Sequence, residues 1–142
     1  MQNLKKQEMP KRTLQDMVES FSLFDNWEDR YRYLIDLGGR LPPMDEALKT
    51  DESLVKGCTS RVWMVSGVRD GLFHFLADSD AKIVKGLIYL LVVAYQDKPV
   101  SDIGSVDIEG TFEKLGLNQH LSPNRRNGFF AMVERIKAGA QA

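Results

Sequence analysis

Cysteine is nearly absent: the 142-residue chain has one, Cys58. A single thiol excludes intramolecular disulfides, CxxC redox pairs and every multi-cysteine zinc or iron–sulfur site built within one chain. Long apolar runs are missing too. The longest, Leu87 to Tyr95, ends after nine residues, against the roughly 20 needed to cross a bilayer, and reads as a buried helix. No apolar stretch near Met1 to Arg12 has the character of a signal-peptide core, so the expected address is the cytoplasm. Charge of one sign is also lacking: 19 Lys plus Arg stand against 20 Asp plus Glu, a formal charge of −1. Nothing global draws such a chain to nucleic acid or to an anionic membrane. What is present is 43% hydrophobic and 27% charged residues, enough apolar material for one core at single-domain length.

Residues 1 to 12 carry Lys5, Lys6, Lys11 and Arg12 among polar neighbours and read as a flexible N-terminal segment with no packed role. Residues 13 to 142 then form one domain. Leu14, Met17, Val18, Phe21 and Phe24 place an apolar stripe on a helix, with Thr13 as N-cap and Asp16 in the capping-box position. A second helix is expected from about Trp27 to Leu37, capped by Asn26 and stopped by Gly38-Gly39. Leu41-Pro42-Pro43-Met44 is a connecting strap, and Asp45 to Lys49 suit one helical turn. Val62, Trp63, Val65 and Val68, then Asp70-Gly71, then Leu72 to Ala77, predict a type I′ hairpin.

Ser79 or Asp80 is expected to cap a central helix over Ala81 to Tyr95, in which Gly86 signals close approach of another backbone. Lys98-Pro99 ends that region. A short helix follows from about Gly110 to Leu115, stopped by Gly116, and Ser122-Pro123 starts a last helix that Gly139 is expected to end. The order predicts an α+β domain with a small antiparallel sheet packed against helices.

A lone cysteine is by default a small buried hydrophobe. The neighbourhood of Cys58 favours a reagent: it follows Gly57, precedes Thr59-Ser60 in a turn before a strand, and is flanked by Lys56 and Arg61, cations that favour thiolate if their side chains point toward it. One thiol without a resolving partner can still accept the outer sulfur of another protein's persulfide, because thiol exchange proceeds by thiolate attack on a sulfur–sulfur bond. Such a product needs shelter, for which Trp63, Phe73, Phe75 and the helix from Ala81 are candidates.

Three segments carry a family resemblance: Gly57-Cys58-Thr59-Ser60-Arg61-Val62-Trp63, Ala77 through Leu87, and Leu117 through Gly128, with Trp27-Glu28-Asp29-Arg30-Tyr31 and Leu37 through Pro42 before them. Together they resemble the SufE/CsdE family of sulfur acceptors over about residues 14 to 138. The resemblance implies a sheet-and-helix fold like that of NifU-type iron–sulfur scaffolds, with a third strand that periodicity does not locate. It further implies sulfur acceptance from the persulfide of a cysteine desulfurase of SufS or CsdA type, stimulation of that enzyme, and delivery toward a downstream scaffold for iron–sulfur cluster assembly. No cofactor is implied for this chain, since pyridoxal phosphate belongs to the desulfurase. Association of two copies as a homodimer is left open. At Arg61 the pattern is closer to the Csd type, whereas Ser60 leans toward the Suf type.

Carried over by position, Cys58 matches the acceptor cysteine, Asp80 the acidic residue at the start of the central helix, and Arg125 the arginine after the proline. Asp80 suits the positive end of a helix dipole equally well, whereas Arg125 in a first helical turn is unfavourable on dipole grounds and points to a partner or an acidic contact. His120 is a weaker candidate, as a proton carrier or simply a hydrogen-bonded loop histidine. His74 alternates on a strand and reads as peripheral. Two alternatives to the acceptor role are a partner-independent enzyme with Cys58 as nucleophile, and an interaction module whose cysteine is structural.

Overall fold

Side-chain caps fix where the first two helices begin. Thr13 Oγ1 accepts the Asp16 N–H and the Asp16 carboxylate accepts the Thr13 N–H, both at 3.0 Å, which satisfies two otherwise unpaired donors at the head of α1, Leu14–Ser22. Leu23 closes this helix, so Phe24 lies beyond it and packs instead on the Tyr33 ring, 5.2 Å between centroids. Asn26 Oδ1 accepts the Asp29 N–H at 2.8 Å and starts α2, Trp27–Gly38. The computed structural model describes residues 12–141, so the expected flexible segment lies outside the described residues except for Arg12. At that residue the expectation is corrected: Arg12 donates to Ser20 Oγ at 2.7 Å and Tyr33 Oη at 3.1 Å, and is tied to both helices.

The Asp45-capped turn at Glu46–Leu48 leads to the hairpin of β1, Val62–Arg69, and β2, Leu72–Ser79. Asp70 and Gly71 have φ of 56° and 77°, the paired left-handed conformation that a two-residue I′ loop requires. The register runs from Val62 opposite Ser79 to Arg69 opposite Leu72. The third strand, β3, is only Lys98–Pro99, paired antiparallel with Leu72 and Phe73, and the sheet order is β1-β2-β3. Beyond β3, the Gln96 carboxamide takes the place of a strand residue: its Oε1 accepts the Phe75 N–H at 2.9 Å and its Nε2 donates to the Phe75 carbonyl at 2.8 Å.

Twelve of the fourteen residues of α3, Lys82–Tyr95, are buried, as the unbroken apolar run demands. A Cβ on Gly38 would lie 2.6 Å from the Gly86 nitrogen, and one on Gly86 would overlap the Leu34 carbonyl. The α2 and α3 backbones therefore meet at a glycine pair. The sheet, α1 and α6 cover other parts of α3. Neither Ser79 nor Asp80 caps it. Ala81 holds the N-cap position without a side-chain bond, while Ser79 closes β2 and its hydroxyl donates to the Arg61 carbonyl at 2.8 Å. Both polar side chains bond the backbone of Arg61, just before β1, and Ser79 Oγ also accepts the Ala81 N–H at 3.2 Å.

A turn at Val100–Ser105 connects β3 to α4, Ile108–Lys114. Gly116, at φ 79°, reverses the chain into a further short helix, α5, Leu117–His120. Ser122 Oγ then accepts the Arg125 N–H at 3.2 Å at the head of α6, Pro123–Gln141. Gly139 does not end α6 as expected. It lies within the helix, where a Cβ would come 2.5 Å from Ser66 Oγ of β1, so glycine is there for close helix-to-sheet packing. The architecture is the α+β arrangement anticipated.

Candidate functional site

Two backbone hydrogen bonds pinch the chain into a loop with the cysteine near its tip. The Val55 N–H donates to the Val62 carbonyl and the Met64 N–H to the Ser53 carbonyl, each at 2.8 Å, and Leu54 bridges antiparallel to Trp63. Between these strands Gly57 turns at φ 93°. Cys58 follows half-buried, its thiol donating to the Gly128 carbonyl of α6 at 3.5 Å. A Cβ on Gly128 would sit 3.4 Å from the sulfur, so this glycine makes room for the side chain.

The thiol borders a cavity of about 210 Å³. Val62 of β1, Val84 and Leu87 of α3, and Phe129 and Met132 of α6 supply its apolar wall, while Ser60, Asn124 and Arg125 lie among its polar lining. Burial pushes the Cys58 thiol up from its ordinary range, because the thiolate would lose solvation there. The hydrogen bond to the Gly128 carbonyl also suits the protonated form, since only a thiol can donate it. The expected thiolate-favouring effect of Lys56 and Arg61 is corrected: both are exposed, neither lines this cavity, and burial alone accounts for the shift.

The expected shelter is corrected in part. The central helix does contribute, but Trp63, Phe73 and Phe75 do not line the cavity. Phe73 and Phe75 are stacked in the core, 5.6 Å between centroids. Trp63 lies beneath the Lys49 ammonium, 5.2 Å from its ring centroid. Phe129 is the aromatic that faces the sulfur site, a role hidden because spacing marks it only as inward on its helix.

Arg125 and Cys58 are brought to one cavity from residues 67 positions apart. Among the described residues no carboxylate oxygen lies within 4 Å of the Arg125 guanidinium, so the acidic contact considered for it is not formed within them. Asp80 acts on the loop through its base: Oδ1 accepts the Arg61 N–H at 3.1 Å. His120 stands apart. Its ring stacks on Trp27 of α2 at 4.5 Å and 10°, and it is not among the cavity's lining residues. His74 pairs with Asp97, Nδ1 to Oδ1 at 2.7 Å, at the far end of the hairpin from the cysteine loop.

One residue of this neighbourhood goes unmarked in the sequence. Arg135 of α6 donates to the carbonyls of Leu54 at 2.8 Å, Glu52 at 3.0 Å and Met64 at 3.1 Å. A cation within an amphipathic helix looks like any solvated charge, and only the approach of three carbonyls distinguishes it. Among the described residues no three His, Cys, Asp or Glu side chains gather closely enough to hold a metal ion.

An α+β domain that seats its lone thiol against a part-apolar cavity between a central and a terminal helix is the class of protein this geometry defines. Residues 15–140 match the model of the SufE family, described as an Fe-S metabolism associated domain, and the chain belongs to that family. It is 41% identical over 133 residues to an uncharacterized SufE-like protein of Rhizobium meliloti (strain 1021), covering 91% of this chain and 95% of the relative. A SufE-like protein of Rhizobium etli is likewise 41% identical over 133 residues, covering 91% and 90%. The solution structure of a hypothetical protein from Thermus thermophilus superposes with a TM-score of 0.73 at 21% identity, covering 94% of this chain and 96% of that one. This last similarity is one of fold.

Proposed function

We propose that the protein is a sulfur acceptor, taking persulfide sulfur from a pyridoxal-phosphate-dependent cysteine desulfurase onto Cys58, stimulating that enzyme and passing the sulfur on for iron–sulfur cluster assembly. Membership in a family associated with Fe-S metabolism supports the setting. The observation that carries the chemistry is a solitary thiol on a pinched loop beside a cavity of about 210 Å³ with an apolar wall and Arg125 in its polar lining.

In the transfer, the Cys58 thiolate attacks the outer sulfur of the partner's protonated persulfide. The partner's S–S bond breaks, its electron pair leaves on the partner's inner sulfur as thiolate, and a new S–S bond forms on Cys58. No net oxidant or reductant is consumed. The proton lost by Cys58 beforehand must leave when the loop emerges into the partner's site, since none of the cavity's lining residues is His, Asp or Glu. That lining gives no support to a partner-independent thiol enzyme, which wants a base within hydrogen-bond reach of its nucleophile. Arg125 at the cavity supplies positive charge near a loaded, anionic sulfur.

The test is incubation with a cysteine desulfurase of SufS or CsdA type, pyridoxal phosphate and cysteine, followed by intact and peptide mass spectrometry. One added sulfur atom on Cys58 is expected, and Cys58→Ser is expected to abolish both the added mass and the stimulation. Full stimulation by Cys58→Ser would remove the covalent role. Turnover of a small substrate without any partner would favour the enzyme reading instead.

A further inference from the structure

We infer that Arg135 is a positioning residue: it clamps the stem of the cysteine loop to α6 and β1, so that the excursion of Cys58 is confined to the segment from Val55 to Arg61. That this excursion serves sulfur delivery rests on the acceptor reading above; the clamp itself is independent of it.

Three observations converge. First, one guanidinium satisfies three carbonyls, those of Glu52 and Leu54 just before the loop and that of Met64 just after it. The planar fork of arginine makes such multi-point bonding possible, and an ammonium could not reproduce it. Second, past Val55, which is buried in the core, the loop meets α6 through small residues. A Cβ on Gly57 would be 3.3 Å from the Ala131 methyl, and Gly128 meets the Cys58 side chain. These residues fall on the same side of α6 as Arg135, which is four positions beyond Ala131. Third, beside the clamp the loop stem and α6 leave an open groove of about 530 Å³, bordered by Val55, Lys56, Ala131 and Arg135, so their contact there is incomplete. The segment thus joins a firmly held base to a tip seated on glycine and alanine, with Gly57 at φ 93° in between.

A clamp of this kind separates local opening from global unfolding. With the stem released, the two pinching bonds at the Val55 and Met64 amides would open with the tip, and Cys58 would leave its cavity more often and less directedly.

The test uses the isolated full-length protein and two variants, Arg135→Gln and Arg135→Lys, with two readouts: the alkylation rate of Cys58 by iodoacetamide, and amide hydrogen exchange at Val55 and Met64 compared with α3. Arg135→Gln is expected to alkylate faster by about tenfold, the scale of one hydrogen bond from a charged donor, with exchange accelerated at Val55 and Met64 and unchanged in α3. Arg135→Lys, which keeps the charge and loses the fork, is expected to fall between wild type and Arg135→Gln, and carries the test alone if Arg135→Gln does not fold. Unchanged alkylation, or exchange accelerated equally in α3, would overturn the assignment. Because no desulfurase is present, failure of sulfur labelling in the earlier experiment leaves this outcome readable.

Discussion

Asp80 and Arg61 hold one another through both backbone polar groups of Arg61: the Asp80 carboxylate accepts the Arg61 N–H at 3.1 Å, and the Asp80 N–H donates to the Arg61 carbonyl at 3.2 Å. Ser79 Oγ adds a second donor to that carbonyl at 2.8 Å. The end of the cysteine loop is thereby fastened to the segment that leads from β2 into α3. An acidic residue placed where a helix cap was anticipated serves the loop instead.

Removing the side-chain half of this fastening should free the tip. Asp80→Ala is expected to raise the alkylation rate of Cys58 severalfold in the isolated protein, while Asp80→Asn, whose amide oxygen still accepts the Arg61 N–H, stays near wild type. Identical rates for Asp80→Ala and wild type would show that the carboxylate does not restrain the loop.

The thiol should titrate late. Burial raises its pKa above the ordinary value, so the folded state favours the protonated form relative to the unfolded chain. The associated stability is fully present below the unfolded pKa and is lost as pH rises through the folded one. Accordingly, the pH profile of iodoacetamide reaction should have its midpoint at higher pH in the native protein than in the same protein unfolded in urea. A native midpoint at or below the unfolded one would contradict burial as the controlling influence.

Bulk at position 128 should evict the sulfur. A Cβ there would already touch Sγ at 3.4 Å, so a longer side chain must either displace Cys58 or enter the cavity beside it. Gly128→Leu is expected to keep its helical circular dichroism, because glycine is the poorer helix former, yet to present a thiol that alkylates faster than wild type. A slower reaction would mean that the new side chain fills the cavity over the cysteine rather than pushing it out.

Acid should weaken the strand that carries this fastening. Burial tends to raise the Asp78 carboxyl, but the Lys49 hydrogen bond, the Ser79 N–H and the Lys85 charge outweigh it and hold the carboxyl below its ordinary value. Lys49 Nζ stands 3.0 Å and Lys85 Nζ 3.5 Å from its oxygens. A depressed carboxyl contributes stability above its unfolded pKa and loses it as pH falls through the folded pKa. Asp78→Asn should therefore lower Tm at neutral pH, and the gap to wild type should close below about pH 4. A gap that persists unchanged into strong acid would assign the loss to packing.

Local chemistry made much of the architecture readable. Thr13 and Asn26 announced helix starts because capping is a property of a few adjacent residues, Asp70-Gly71 announced the hairpin because its φ values suit few others, and Gly86 announced the close helix crossing. What escaped depends on distant partners. Lys98–Pro99 is a strand only because Leu72 and Phe73 lie beside it, and two residues offer no periodicity. Gly139 looked like a stop because sequence cannot show Ser66 pressing against it. At the site, the acceptor candidate and Arg125 were legible through motif resemblance, and they do share a cavity. The walls of Val84, Leu87, Phe129 and Met132 were legible only as core, since inward-facing residues look alike whether they meet another side chain or a void. Arg135 carried no signal, because its partners are main-chain carbonyls.

The Gln96 carboxamide bears on how this molecule behaves in a crowd. By engaging both main-chain groups of Phe75, it leaves that stretch of the β2 border nothing to offer an incoming extended chain, the usual route to edge-to-edge polymerisation. On this side of the sheet, where the closing strand covers only Leu72 and Phe73, one side chain thus carries the shielding past the end of strand pairing.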